Sequence, residues 1–321
     1  MTIRQDDKSV SLSVVATLYR SAPHLREFYE RTRKVLSTLD AGDHELVLVN
    51  DGSPDDSLAV AAGLVEEDPR CVVVDLSRNF GHHKAMMAGL GHARGDLVFL
   101  IDCDLEEEPE LLPDFLKAMR DRGVDMVYGV QESRRGGVVE KASGAVYYAV
   151  LRLLSDVPLP QNVLTVRLMS RRYVDALLLH GEREVNIAGL WQITGFEQAS
   201  LPVTKTRRAK TNYGLVRKLS ILVQSVTAFS NRPLVGIFLL GMAITLVSLG
   251  YIGFLLLRKF VWGIGVEGWT SIVASIWLLG GIILFAIGML GIYLAKVFVE
   301  VKERPNVIVR QVLRRDEEEA P

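Results

Sequence analysis

The sequence predicts an α/β protein: a mostly parallel sheet with flanking helices, then an interfacial amphipathic helix and a C-terminal hairpin of two transmembrane helices. Three observations predict it. Apolar runs rich in Val, Ile and Leu alternate with helical-period segments through residues 11–128, the pattern of right-handed βαβ units. Two of those runs end abruptly in carboxylate-bearing turns, as ligand-binding strand ends do in parallel sheets. Residues 234–257 and 272–299 are nearly uncharged, and each exceeds the roughly 20 residues a spanning helix needs.

Residues 11–18 read as the first strand, and 22–39 follow with apolar residues at helical spacing. Residues 45–50 are a second strand ending in Asp51-Gly52-Ser53, a sharp turn after which Asp55 or Asp56 can cap the next helix. Residues 71–76 are a third strand, followed by a polar loop from Ser77 to Lys84 and a small-residue helix through Ala93. Residues 97–101 make the fourth strand. A helix from Pro109 to Arg122 and a strand at 124–128 come next. Residues 138–180 read as mostly helical, with a strand-like segment at 163–169.

The end of the fourth strand carries the most chemistry. Ile101 is followed by Asp102-Cys103-Asp104-Leu105-Glu106. In an extended chain Asp102, Asp104 and Glu106 would share one face, because strand side chains alternate. Such crowded carboxylates call for a cation. Oxygen-only ligands suit Mg²⁺ or Mn²⁺, ions that usually also hold substrate phosphates. The plainer alternative is an acidic first turn of the next helix, and the two readings are compatible. No Gly-rich phosphate loop and no Cys/His metal spacing occurs.

Lys205, Arg207, Arg208, Lys210 and Lys218 cluster around Tyr213, well placed for anionic groups at a membrane surface. Residues 213–229 carry apolar positions at helical spacing, so 211–233 is expected to lie in the interface. The link between the two apolar stretches is short and carries Trp262 and Trp269, as interfacial aromatics do. Cations crowd both flanks, so the N-terminal domain (1–210) and the tail (300–321) are expected in the cytosol. The polar N-terminus does not read as a signal peptide. Glycines in both stretches make self-association plausible. A net charge of −1 over 321 residues gives no reason to expect nucleic acid. The cysteines, Cys71 and Cys103, form no disulfide framework.

Taken together, SVVATLY, VNDGSPDDS, SRNFGHHKAMMAGL, ARGDLVFLIDCDLEEEPELLP and VRLMSRRYVDALL, with the hairpin behind them, resemble the GT-A fold, family 2 glycosyltransferases. The subgroup most similar is the polyprenyl-phosphate glycosyltransferases. The resemblance implies a nucleotide-sugar donor, UDP-linked or GDP-mannose, held by Thr17, Tyr19, Asp51 and Ser53, with Asn79, Lys84, Asp102 and Cys103 around it. It implies a Mg²⁺ or Mn²⁺ ion on Asp102 and Asp104, with Glu106 standing where the family commonly has Gln. It implies a polyprenyl phosphate acceptor, for which Arg134, Arg135, Arg207, Arg208, Lys210 and Tyr213 are candidates. Asp102, Asp104, Arg134 and Arg207 are the implied catalytic set, working at a bacterial cytoplasmic membrane. Arg20-Ser21 departs from the family's Asn-Glu.

Two rivals remain. A processive polysaccharide synthase shares the catalytic half but carries a Gln-x-x-Arg-Trp motif and further spans, which this chain lacks. A non-catalytic membrane adaptor could bind a nucleotide-sugar. His82 and His83 have no ligand partners in sequence spacing. Trp191 either borders the acceptor site or packs the domain.

Overall fold

Strand and helix alternate as the periodicity predicts. A computed structural model describes residues 11–39, 43–131, 162–183, 185–204, 230, 232–262 and 268–315. The chain forms two units: Met1–Gly137, Leu159–Asn212 and Arg304–Pro321 make the first, and Val138–Pro158 with Tyr213–Glu303 the second. Arg134, Arg135, Arg207, Arg208, Lys210 and Tyr213 lie outside the described residues, as does most of the expected interfacial helix.

In the first unit β1 (Leu12–Leu18), β2 (His44–Asn50), β3 (Cys71–Leu76) and β4 (Leu97–Leu100) run parallel. β5 (Met126–Gln131), β6 (Val163–Ser170), β7 (Gln198–Val203) and β8 (Val309–Arg314) complete one sheet in the order β7-β5-β6-β4-β1-β2-β3-β8. Four neighbouring pairs are parallel and three antiparallel. The sheet is therefore mixed, and less parallel than the alternation alone suggests. β1 is buried along its whole length, Ser13 and Thr17 included, as a strand covered on both faces is.

Helices α1 (Ala22–Thr38), α2 (Ser57–Glu67), α3 (His82–His92) and α4 (Leu112–Arg122) provide the crossovers. α1 buries Leu25, Phe28, Tyr29, Thr32, Val35 and Leu36, one stripe at helical period. A single 3₁₀ turn, Pro109–Leu111, precedes α4. α5 (Arg171–Leu178) is capped by Ser170, whose hydroxyl accepts from Tyr173 N, and α6 (Ile187–Ile193) follows.

Two sequence expectations change, and one strand is new. The fourth strand ends at Leu100, and the chain then turns. Leu105 has φ 60° and is 3% exposed. Burying that leucine outweighs extended backbone, so alternation does not set the directions of Asp102, Asp104 and Glu106. Residues 309–314 of the tail add a strand that pairs with β3. Finally, the strand expected at 124–128 begins at Met126 and runs to Gln131. β5 pairs with both β6 and β7 there, so neighbours rather than propensity fix its ends.

The second unit contains α7 (Arg232–Trp262) and α8 (Trp269–Val301). Among the described residues, Ser275–Val301 is the one stretch long and apolar enough to cross a membrane. Tyr293 Oη donates to Ser230 O at 2.6 Å. At Gly236, Gly241, Gly250, Gly253, Gly280, Gly281, Gly288 and Gly291 an added Cβ would meet nothing within 4 Å. Among the described residues, none of these glycines has a neighbour that an added Cβ would meet.

Candidate active site

The chain runs from β1 outward to β2 and β3, then returns to place β4 on β1's other side. Such a reversal opens a crevice beyond the carboxyl ends of the strands. Thr17, the Asp51 turn and the Asp102 turn all lie at that edge.

The Asp51 turn is built to hold a loop. Asp51 is 3% exposed, and its carboxylate accepts from Phe80 N at 2.7 Å and Gly81 N at 3.0 Å. Asn79 Nδ2 donates to Asp51 O at 3.1 Å. Gly52 sits at φ +57°, and a Cβ there would lie 2.4 Å from Arg78 C and from Asn79 N. Only glycine lets the two loops meet. Gly52→Ala is therefore expected to cost at least the roughly 1–2 kcal/mol of a left-handed non-glycine residue, with the clash added. Thermal unfolding checks this, and a melting temperature equal to wild type would refute it.

A second network joins the loops after β1 and β2. Asp55 accepts from Ser53 Oγ at 2.5 Å, Ser57 Oγ at 2.6 Å, Ser57 N at 3.2 Å and Ala22 N at 3.2 Å. Ser53 Oγ accepts from Arg20 N at 2.7 Å, and Ser57 Oγ from Ser21 N at 2.9 Å. Ser21 is buried and its hydroxyl accepts from Tyr19 N at 3.0 Å. The departure at Arg20-Ser21 thus has a structural use: a small hydroxyl fills a buried corner while Arg20, at φ 57°, points out beside the half-exposed Tyr19. Asp56 stands at the N-cap of α2 without a side-chain bond there, and Asp55 is the hub. Burial pushes its pKa up, but the hydroxyls of Ser53 and Ser57 and the N–H groups of Ala22 and Ser57 outweigh this and hold it at about 2. A depressed folded pKa stabilises above the ordinary carboxylate value and loses that contribution as pH falls towards 2. Wild type is expected to lose stability between about pH 4 and pH 2, and Asp55→Asn to flatten that slope; unfolding curves at stepped pH read it directly.

His82, the first residue of α3, links three strand ends. Its Nδ1 lies 3.0 Å from Thr17 Oγ1, and its Nε2 3.3 Å from Asp102 Oδ1. Nothing in local spacing foretold this, since Thr17 and His82 are 65 residues apart. Cys103 is buried and its thiol donates to Thr17 O at 3.1 Å. Burial pushes that thiol up to about 12, so it stays protonated and ties the turn to β1. Asp104 is exposed, and its Oδ1 accepts from Glu106 N at 2.9 Å. Lys84 lies in the first turn of α3. His83 Nδ1 is 3.1 Å from Val185 O.

Behind the acidic turn lies Arg167 on β6, beside Leu100 of β4 and Tyr128 of β5. It is 1% exposed. Its Nε donates to Thr165 O at 2.9 Å and its Nη2 to Leu164 O at 2.8 Å, and the guanidinium stacks on Trp191. Burial lowers its pKa to about 9, while Tyr173, Glu107 and Asp102 oppose the fall. Arg167 therefore remains a buried cation at neutral pH. Trp191 is buried too, and its carbonyl accepts from Tyr173 Oη at 2.8 Å and Gln198 Nε2 at 2.7 Å. Packing is its structural part.

Among the described residues no three His, Cys, Asp or Glu side chains converge into a metal cage. An ion shared with substrate needs no such cage: Mg²⁺ usually takes one or two carboxylates and completes its shell with water and phosphate. Asp102 and Asp104 are oxygen donors of that kind, with Glu106 beside them.

Residues 13–178 match the family described as Glycosyl transferase family 2. The chain belongs to this family. A putative glycosyltransferase of Mycobacterium tuberculosis is 48% identical to this glycosyltransferase over 305 residues, covering 95% of the chain and 89% of the relative. A prophage bactoprenol glucosyl transferase homolog of Escherichia coli is 29% identical, covering 94% and 99%. A mannosyltransferase from Pyrobaculum calidifontis, solved in complex with GDP-Man and Mn²⁺, covers 92% of the chain and is itself covered to 88%, at 17% identity and TM-score 0.49. In this glycosyltransferase the matched region holds Thr17, Asp51, His82, Asp102 and Arg167.

Proposed function

We propose that the protein transfers a sugar, with inversion, from a nucleotide diphospho-sugar to a polyprenyl phosphate at the cytosolic face of a bacterial membrane. The observation that carries the reading is the acidic turn after β4, set on the same sheet edge as the Asp51 turn and the loop it holds. Relatives named bactoprenol glucosyl transferase, matching nearly end to end, support the acceptor class.

The residues divide the work by their chemistry. Tyr19, Ser53, Asn79 and Lys84 border the donor's nucleotide and phosphates, with the Asp51 turn holding the loop in place. Thr17 and His82 orient Asp102. Asp102 and Asp104 would hold Mg²⁺ or Mn²⁺, with Glu106 beside them. Bound there, the ion neutralises charge on the departing diphosphate. The acceptor needs little deprotonation, because a phosphate monoester has its second pKa near 6. Catalysis is then alignment of two anions and offset of their charge. Arg134, Arg135, Arg207, Arg208, Lys210 and Tyr213 are the acceptor-phosphate candidates.

Membrane residence is supported by the apolar helices. Trp277, Leu284 and Leu294 are 79%, 72% and 69% exposed, an arrangement lipid tolerates and water does not. The return of β8 to the sheet supports two crossings: a strand that pairs with β3 must end on β3's side, so the intervening segment crosses an even number of times. Self-association through the helix glycines belongs to the same reading.

The test is full-length protein in detergent with Mn²⁺, a panel of UDP- and GDP-sugars, and undecaprenyl or dolichyl phosphate. A chloroform-extractable labelled sugar is expected with one donor. No product from any donor would overturn the transferase reading in favour of a nucleotide-sugar-binding adaptor.

A further inference from the structure

Strand β8 follows both apolar helices in the chain, yet it closes the sheet beside β3. Its register shifts between Asp75 and Leu76, the last residues of β3. Side chains take over there. The Arg310 guanidinium donates to the Asp75 carboxylate at 3.3 Å and to Ser77 O at 2.7 Å. Gln311 Nε2 reaches Asp75 at 3.5 Å, and Ser77 N donates to Ile308 O at 2.9 Å.

Asp75 is fully buried, and its other oxygen accepts from Asn50 Nδ2 at 2.8 Å. Asn50 Oδ1 in turn accepts from Ser53 N at 3.3 Å. The next residue, Asp51, holds Phe80 N and Gly81 N. Arg310 therefore grips the loop at residues 77–81 twice: directly at Ser77, and through Asp75 and Asn50 at the turn that holds Phe80 and Gly81. A buried carboxylate is costly without a cation, and Arg310 is one that pairs with it.

We propose that the C-terminal strand clamps the donor loop, with Arg310 as a positioning residue that sets the affinity for the nucleotide diphospho-sugar. The link to the donor rests on the function proposed above; the clamp itself does not. Sequence beyond the membrane segment then tunes chemistry at the opposite end of the chain.

The test uses full-length Arg310→Ala and Arg310→Lys, with two readouts. One is backbone amide hydrogen exchange at residues 77–81 without ligand. The other is steady-state KM for donor and for acceptor. The Arg310 side chain is 55% exposed, so its removal opens no core cavity. Arg310→Ala is expected to speed exchange across 77–81 and to raise the donor KM about tenfold, the scale of one charged hydrogen bond. Acceptor KM and kcat stay within about twofold, because the lost interaction is equal in ground and transition states. Arg310→Lys, with the charge but not the planar fork, falls between. Unchanged exchange at 77–81 in Arg310→Ala overturns the clamp. Faster exchange with an unchanged donor KM overturns its link to the donor. A wild type that transfers no sugar overturns instead the reading on which that link rests.

Discussion

Asp104→Ala is expected to abolish sugar transfer while leaving the protein folded. Asp104 is exposed and makes one hydrogen bond in its turn, from Glu106 N. Losing that bond costs about 1 kcal/mol or less. Leu105, 3% exposed, still pins the turn. The functional cost is of another order. A charge that stabilises a leaving diphosphate acts in the transition state, and removing one such stabiliser typically lowers kcat by about 10²–10³. Loss of a shared ion removes more than one contact, so the rate should fall at least that far. The measurement is product formation at saturating donor across a Mn²⁺ titration, beside a thermal melt. Wild-type transfer by Asp104→Ala would sink the metal assignment. An unfolded variant would show instead that the turn depends on this side chain. Asp104→Asn separates the two, since the amide keeps the acceptor oxygen for Glu106 N without the charge.

The second large effect is expected at Asp51. Its buried carboxylate takes two backbone N–H groups from the loop after β3. Hydrogen bonds to a charged acceptor contribute roughly 1.5–3 kcal/mol each, and a buried donor left unmet costs about as much. Asp51→Ala should therefore destabilise the protein by about 3 kcal/mol. It should also release residues 78–81 and weaken donor binding roughly tenfold or more. Denaturant unfolding measures the first, and equilibrium binding of the nucleotide-sugar the second. Asp51→Asn keeps one acceptor oxygen and should sit between. If Asp51→Ala kept full stability while losing donor binding, Asp51 would be a direct ligand of the nucleotide rather than a holder of the loop. The family resemblance implies contact with the nucleotide, and in the structure the same carboxylate holds the loop.

Much of this protein was legible before any coordinates. The four parallel strands emerged because a strand buried on both faces is mostly apolar. The acidic turn after the fourth strand stood out because carboxylates beside such a run are unusual. What misled was local extrapolation. Alternation placed Asp102, Asp104 and Glu106 on one face, whereas burial of Leu105 bends the chain at φ 60°. Trp191, read either as a site wall or as packing, is buried and stacks against Arg167.

The sequence by itself determined the α/β class, the family, the position of the acidic turn and the apolar segments, because each is written in short-range periodicity or contiguous motif. Only the tertiary structure decided that His82 bridges Thr17 and Asp102, that Arg167 is a buried cation behind the turn, and that the tail closes the sheet. Those contacts join residues far apart in the chain: 65 positions for Thr17 and His82, 235 for Arg310 and Asp75. Single side chains at such separations leave no period to read, and their meeting is settled by strand order and packing.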